Sequence, residues 1–181
     1  MSVLMCWSRV LLNSNSIRLI VATLLWVVTV LATLVFAYTQ QTETFDPDNT
    51  LSQPNWLSLF QNTVGLNAVE GDTLYIVDEN TCVCSARSQA HIQSLTDYAI
   101  EQGVKVVKLA PSMALSSLIP AQPAAVLISD NQELAYAGPL SKGLACSSQN
   151  GFVELVIKNL RAGFNSQFVN SNAKGCYCKI G

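Results

Sequence analysis

The sequence is poor in charge and in the residue types that many catalytic motifs require. Charged residues make up 12% of its 181 residues, it has one histidine and three methionines, and it contains no basic block. The lack of basic clusters excludes nucleic-acid binding. No Ser-His-Asp arrangement can be assembled around His91, and glycine-rich phosphate loops, paired catalytic carboxylates and zinc-protease motifs are absent. The scarcity of histidine and methionine also argues against a methionine-rich copper protein.

One segment has no charge at all. Residues 19–38 are apolar except for Thr23, Thr29 and Thr33. Their number matches the length that an α-helix needs to cross the hydrocarbon core of a bilayer. We therefore predict a transmembrane helix over residues 19–38.

The flanking charges predict how this helix is oriented. Arg9 and Arg18 precede it, whereas only acidic residues follow it closely. By the positive-inside rule, residues 1–18 lie in the cytoplasm and the rest of the chain is exported. A signal peptide cleaved after Ala37 is the alternative, and it would export the same domain. Residues 39–53, rich in Thr, Gln, Asp and Pro, are expected to form a tether.

Residues 54–164 show the patterns of one α/β domain. Apolar spacing predicts four helices and four strands, the strands at residues 73–77, 104–109, 124–129 and 133–137. The first two strands flank a helix over residues 85–102 and should form a parallel βαβ unit, whereas the last two should form an antiparallel hairpin. We expect a mixed four-stranded sheet with helices on both faces, followed by an irregular, cysteine-containing tail over residues 165–181.

Four of the six cysteines form two Cys-x-Cys pairs, Cys82 with Cys84 and Cys176 with Cys178. The first pair lies where the first strand passes into the long helix, and a helix N-terminus lowers the pKa of a thiol. With Cys82 before the helix and Cys84 in its first turn, the two could form a small, strained and therefore oxidising disulfide. Static disulfides of an exported domain are the alternative.

The other cysteines leave several roles open. Cys176 and Cys178 are either a second dithiol that relays electrons or a clip that fixes the tail. Cys146, in the loop before the last helix, could resolve a mixed disulfide formed at Cys82, pair with the tail or be a bystander thiol.

The order of elements resembles the thioredoxin fold. The residues that carry this resemblance are the Cys-x-Cys at a helix start, Gln122-Pro123 opening a strand, and the segment GPLSKG at residues 138–143 before the last helix. Thioredoxins have Cys-x-x-Cys at this place, so the motif here is one residue shorter. With the anchor and the terminal Gly-Cys-Tyr-Cys, the chain resembles a bacterial family of membrane-anchored thioredoxin-like proteins. The resemblance implies that Pro123 is a cis-proline beside the reactive thiols, and that the domain lies on the periplasmic side of the inner membrane.

The favoured function is therefore an exported, single-pass thiol–disulfide oxidoreductase that acts on protein thiols or disulfides. Cys82 would attack, Cys84 would resolve, and Pro123 would shape the groove for an extended substrate chain; no organic cofactor is expected. Two alternatives stay open. One is a metal-binding or metal-delivery module in which Cys82, Cys84, Cys176 and Cys178 hold Cu(I) or Zn(II). The other is a non-catalytic, disulfide-stapled binding domain on the same scaffold.

Overall fold

The computed structural model describes residues 14–65, 70–79, 82–141, 143 and 151–180. The chain divides into two units, Met1–Gln40 and Gln41–Gly181. Within the described residues the helices are α1 (Ser14–Gln41), α2 (Trp56–Thr63), α3 (Val83–Glu101), α4 (Met113–Ser116) and α5 (Phe152–Arg161), with a short 3-10 helix at Thr50–Ser52. The strands are β1 (Glu43–Thr44), β2 (Thr73–Val77), β3 (Lys105–Leu109), β4 (Ala121–Gln122), β5 (Ala124–Ile128), β6 (Leu134–Pro139), β7 (Phe168–Val169), β8 (Lys174–Gly175) and β9 (Cys178–Lys179).

Helix α1 is the one helix in the described part of the chain that is long and apolar enough to cross a membrane. Its candidate span covers the 26 residues Asn15–Gln40, none of it buried against protein. The hydroxyls of Thr23 and Thr29 donate to backbone carbonyls four residues earlier, at 2.9 and 2.8 Å, so the polar interruptions are satisfied within the helix. A membrane anchor and a signal sequence both fit this helix.

A mixed sheet in the order β3-β2-β5-β6-β7 forms the centre of the second unit. Strands β2 and β3 are parallel and β5 is antiparallel to β6, as predicted. The antiparallel pairing of β2 with β5, which joins these two units into one sheet, was not predicted. The predicted number of strands was wrong, because β7 from the tail adds a fifth strand, parallel to β6. A strand of two residues is too short to show a hydrophobic period, so the pattern could not predict it.

Strands β2 and β5 are continuous apolar runs because both of their faces are covered. Tyr75 and Val77 of β2 point into the cluster that holds Trp56 and Phe60 of α2. Leu74 and Ile76 point into a second cluster, packed by α3 and α5. Strand β3 lies at the edge of the sheet, and its two lysines, Lys105 and Lys108, are exposed. Charged side chains on an edge strand discourage pairing with the strand of another chain.

The segment expected to be a tether contributes to the core instead. Phe45 and Leu51 are 1% and 3% exposed and pack against α2. The carboxylate of Asp46 is buried and accepts hydrogen bonds from the backbone N–H groups of Thr50 and Leu51, at 2.8 and 2.9 Å. Two isolated apolar residues in a polar stretch carry no periodic signal, and this explains the difference from the prediction.

Candidate functional site

The first cysteine pair lies at the start of α3. Cys82 is the N-cap residue with an extended backbone, and Cys84 lies in the first turn, as the sequence predicted. The Sγ atom of Cys82 accepts a hydrogen bond from the backbone N–H of Ser85 at 3.4 Å, and the Ser85 Oγ lies at the same distance. The sulfur therefore sits at the positive end of the helix, where negative charge is stabilised.

The two Cys-x-Cys pairs are joined to each other by two disulfides. Cys82 bonds to Cys178 and Cys84 bonds to Cys176, with Cα–Cα distances of 6.6 and 5.4 Å. The expected bond between Cys82 and Cys84 was therefore wrong for this structure. Two residues that are two positions apart at a helix start point to different sides, so Cys82 and Cys84 do not face each other. The tail runs in the opposite direction past them and places Cys178 next to Cys82 and Cys176 next to Cys84.

The tail reaches this position through backbone pairing with three parts of the domain. Strand β9 is antiparallel to β4, with Cys178 opposite Gln122. Strand β8 is antiparallel to β1, with Gly175 opposite Glu43. Between these strands the N–H of Cys176 donates to the carbonyl of Gly143 at 3.1 Å. The predicted irregular tail is thus a set of short strands.

Tyr177, between the two tail cysteines, fixes the tail on the N-terminal segment. Its ring meets Phe45 edge-on at a centroid distance of 5.1 Å, and its hydroxyl donates to the carbonyl of Ser141 at 2.9 Å. Gly175 is needed here because a Cβ atom would lie 2.6 Å from the Tyr177 hydroxyl and 3.0 Å from the carbonyl of Gly143.

Pro123 lies directly after β4, and the Gln122–Pro123 peptide bond is cis, as the resemblance implied. Gln122 itself is buried and was missed by sequence reasoning. Its backbone faces Cys178, and its side-chain carbonyl accepts from the N–H of Glu79 at 2.8 Å. Gln122 thereby connects the tail to the segment that leads to Cys82.

His91 does not join the cysteines. It is buried in α3, and its Nε2 lies 2.8 Å from a carboxylate oxygen of Glu154 in α5. This pair joins two helices, α3 and α5, that pack on each other. A methyl group on Gly151, the N-cap residue of α5, would overlap the Glu154 carboxylate in the position where it contacts His91.

An open cavity of about 430 Å³ lies beside the tail. Its lining combines Phe45 of the N-terminal segment, Ala121 of β4, and Tyr177 and Lys179 of the tail. Cys146 lies outside the described residues, so its role stays a prediction. The described residues contain no group of three or more His, Cys, Asp or Glu side chains placed to hold a metal while the disulfides are formed.

Comparison with known proteins gives one family match. Residues 50–180 match the family model described as a domain of unknown function, DUF6436. No curated protein matches the chain.

Two solved structures are distant neighbours. A hypothetical protein from Sinorhizobium meliloti 1021 is 13% identical with a TM-score of 0.42, covering 61% of this chain and 79% of that one. An uncharacterized conserved protein from Geobacillus kaustophilus is 12% identical with a TM-score of 0.40, covering 62% and 78%. Likenesses this distant carry no argument about function.

Proposed function

This chain belongs to the DUF6436 family, and on that premise we propose that it is an exported, membrane-anchored thiol–disulfide oxidoreductase. The observation that carries the proposal is the disulfide between Cys82, at the N-cap of α3, and Cys178 of the tail. The redox centre comprises Cys82, Cys84, Cys176 and Cys178, with Pro123 beside it as part of the thioredoxin-like arrangement. Its substrates are protein dithiols or disulfides.

The position of Cys82 at the helix start supports its role as the thiolate that leaves when the disulfide is opened and that attacks when the disulfide re-forms. A partner thiolate attacks the Cys178 sulfur, the bond between Cys178 and Cys82 breaks, and the electron pair leaves on Cys82. A second thiol of the partner then attacks the mixed disulfide and releases Cys178, so the partner dithiol is oxidised and two cysteines of this chain are reduced. A thiol with a lowered pKa leaves faster, and the N–H of Ser85 together with the helix end favours the Cys82 thiolate. The reverse sequence reoxidises the domain.

Cys84 and Cys176 hold the second disulfide at the same place. After the first exchange, the freed Cys82 lies two residues from Cys84, so exchange with the remaining disulfide is intramolecular. We propose that the Cys82–Cys178 disulfide reacts with partners and that the Cys84–Cys176 disulfide stores or relays the electrons. Cys146 is proposed as a further resolving thiol.

Charge and redox chemistry support export of the domain. Arg9 and Arg18 precede α1 and the acidic residues follow it, which favours a cytoplasmic N-terminus. Disulfides persist in oxidising compartments, and a domain with two of them fits the periplasmic side of a bacterial inner membrane. The anchor would keep the site near membrane-bound partners.

A disulfide-stapled domain without chemistry is the second candidate. The bonded cysteines are 96 and 92 residues apart, and cross-links over such long loops stabilise a fold strongly. In that case the tail is a structural element and the domain serves for binding.

A redox titration separates the two candidates. The protein carries Cys6→Ser and Cys146→Ser, so that only the four cysteines of the two Cys-x-Cys pairs remain. The full chain is equilibrated in detergent with graded redox buffers and labelled with a mass-tagged thiol reagent. The oxidoreductase should titrate at roughly −200 to −100 mV, the range of exported oxidoreductases. A protein that stays oxidised below about −300 mV is a staple.

An exchange assay supplies the second arm. The reduced four-thiol protein should reduce a model disulfide, its oxidised form should oxidise a model dithiol, and Cys82→Ser should abolish both reactions. An equal rate in the Cys82→Ser variant would overturn the assigned role of Cys82.

A further inference from the structure

We propose that the tail fills the place of a substrate strand and thereby shows which partner the redox site recognises. That partner presents an extended segment with an aromatic residue directly before its reactive cysteine and a basic residue directly after it. The proposal rests on the proposed function and names the partner chemistry of the same site. It follows from the contacts of three consecutive tail residues, Tyr177, Cys178 and Lys179.

Strand β9 pairs with β4 in a sheet of two strands. Lys179 lies opposite Ala121 and Cys178 lies opposite Gln122, and both β4 residues are buried. Buried N–H and C=O groups need partners, so departure of β9 leaves an edge with which an extended segment of another protein can pair. Backbone groups are common to all sequences, so the choice of partner depends on the side chains of that segment.

The register of this pairing sets the position of the reactive cysteine. Cys178, opposite Gln122, is bonded to Cys82 at the start of α3, and a partner segment in the same register places its own cysteine at the Cys82 sulfur. Strand β9 has two residues, so backbone pairing holds it weakly once the bond to Cys82 opens. The Cys84–Cys176 bond stays closed, and the domain keeps this long-range cross-link while β9 leaves.

The residue before Cys178 occupies an apolar site. The ring of Tyr177 packs on the core cluster of α2 and meets Phe45 edge-on at a centroid distance of 5.1 Å. Its hydroxyl donates to the carbonyl of Ser141 at 2.9 Å. When the tail strand leaves, Phe45 loses this cover, and an aromatic side chain at the same position of a partner segment restores the contact.

The residue after Cys178 lies at an acidic cavity. Lys179 lines the cavity of about 430 Å³ together with Glu43 and Asp48, and these three are its charged lining residues. Departure of Lys179 leaves two carboxylates without a cation in the lining. A basic side chain of a partner segment is attracted to them, and an acidic one is repelled.

Exchange with such a partner balances at Cys82. In the reduced domain, the Cys82 thiolate attacks the sulfur of the partner cysteine, the partner disulfide breaks, and its other sulfur leaves with the electron pair. When β9 returns, the Cys178 thiolate attacks the Cys82 sulfur and the partner thiolate leaves. The Cys82–Cys178 disulfide re-forms, and the partner disulfide becomes a dithiol that takes up the two protons of the two thiols. In this second route a partner disulfide is opened at Cys82 instead of Cys178.

The test measures how fast Cys82 captures a peptide with the sequence of the tail. The protein is the full chain in detergent that retains Cys82, Cys84 and Cys176, with every other cysteine changed to serine. The probe is a peptide of residues 174–180 with Cys176→Ser, whose Cys178 carries a thiopyridyl group in a mixed disulfide. Cys82 displaces thiopyridone, whose absorbance gives the rate, and mass spectrometry of the digested protein locates the attached peptide.

We expect the peptide to attach to Cys82. Tyr177→Ala in the peptide should slow capture about tenfold, because the contact with Phe45 is lost. Lys179→Glu in the peptide should slow it about threefold at low salt. A peptide of the same composition in scrambled order, with the same thiopyridyl group, is the matched control and should react more slowly than the tail sequence.

Tyr177→Ala in the protein should have the opposite effect. It loosens β9, which competes for the same place, so capture of the unaltered peptide should become about fivefold faster. Leu155→Ala, which truncates an exposed side chain of α5, should leave the rate unchanged. The peptide series needs no further change in the protein, so it decides the proposal even if Tyr177→Ala does not fold.

Equal capture rates for all peptides, or attachment at Cys84 or Cys176, would overturn the proposal. An unchanged or lower rate in folded Tyr177→Ala protein would do the same. Wild type that re-forms its disulfides as a dimer linked through Cys82 and Cys178 would identify the occupant as the tail of a second copy and refute a partner protein. Dithiodipyridine, a small disulfide, separates the two proposals: reaction with it but no preference among the peptides refutes this one and leaves the redox function, whereas no reaction with any probe refutes both.

Discussion

The central strands and the C-terminal tail of this domain are folded by opposite means. Strands β2 and β5 are continuous apolar runs, every residue of which is buried. The tail is polar and its strands have two residues each. Its backbone pairs with segments more than 30 residues away, and two disulfides hold it. The core is therefore specified by local pattern and burial, and the tail by backbone pairing and covalent bonds.

Loss of both disulfides should have the largest effect on stability. In the loop-closure model, the Cys82–Cys178 bond restrains a loop of about 97 residues, and the Cys84–Cys176 bond then closes a small ring. Together the two bonds contribute about 7 kcal/mol to the free energy of unfolding. Cys176→Ser/Cys178→Ser should therefore unfold at much lower denaturant concentration than wild type, measured in detergent by fluorescence. A loss below about 3 kcal/mol would show that pairing alone fixes the tail.

A cavity in the core should cost less than that. Leu127 of β5 is fully buried, and Leu127→Ala should lower the free energy of unfolding by about 3 kcal/mol. Leu155→Ala is the control, because Leu155 is 58% exposed and its truncation should cost under about 0.5 kcal/mol. Equal effects of the two variants would contradict the assigned burial.

Loss of one disulfide should cost much less than loss of both. Cys84→Ser/Cys176→Ser leaves the Cys82–Cys178 bond, which still closes the long loop, so only the small-ring contribution of about 2 kcal/mol is lost. The reciprocal variant, Cys82→Ser/Cys178→Ser, should behave alike. The loss of stability on removing both disulfides should therefore exceed the sum of the two single losses by about 2–3 kcal/mol. Additive losses would refute the view that one bond closes a small ring inside the loop closed by the other.

The smallest effect is a pH dependence where core and tail meet. Tyr136 of β6 packs on Phe168 of β7, and burial raises the pKa of Tyr136 far above its usual value. Above about pH 10 the unfolded chain loses this proton while the folded chain keeps it, so stability is full below that pH and falls by about 1.4 kcal/mol per unit above it. Tyr136→Phe should remove the contribution of one proton, about 1.4 kcal/mol per pH unit, from the slope of the unfolding free energy against pH. An unchanged slope would show that this tyrosine ionises in the folded state.

Sequence reasoning predicted the parts whose signal is local. The apolar run of β2, the long helix α3 and the placement of Cys82 and Cys84 at its start followed from pattern and helix-end rules. The connectivity of the four cysteines could not follow, because it depends on which backbone segments meet, and spacing alone allows several pairings.

The core contributions of Phe45 and Leu51 illustrate the same limit. Each stands alone between polar residues. Both are buried in a segment that pairs with the tail through β1 and β8 and whose following turn is capped by Asp46. Gln122 is similar, since nothing in its own neighbourhood marks it as the residue that faces Cys178.

The Cys84–Cys176 disulfide closes residues 84–176 into a covalent ring, and the Cys82–Cys178 disulfide closes a second ring around it. A single proteolytic cut anywhere inside this ring leaves both fragments in one molecule, held together by sulfur. Such a nicked protein keeps its intact mobility on a non-reducing gel and separates into two pieces only when it is reduced. A single proteolytic cut in this ring therefore does not release half of the domain, as it would from a chain without the disulfides.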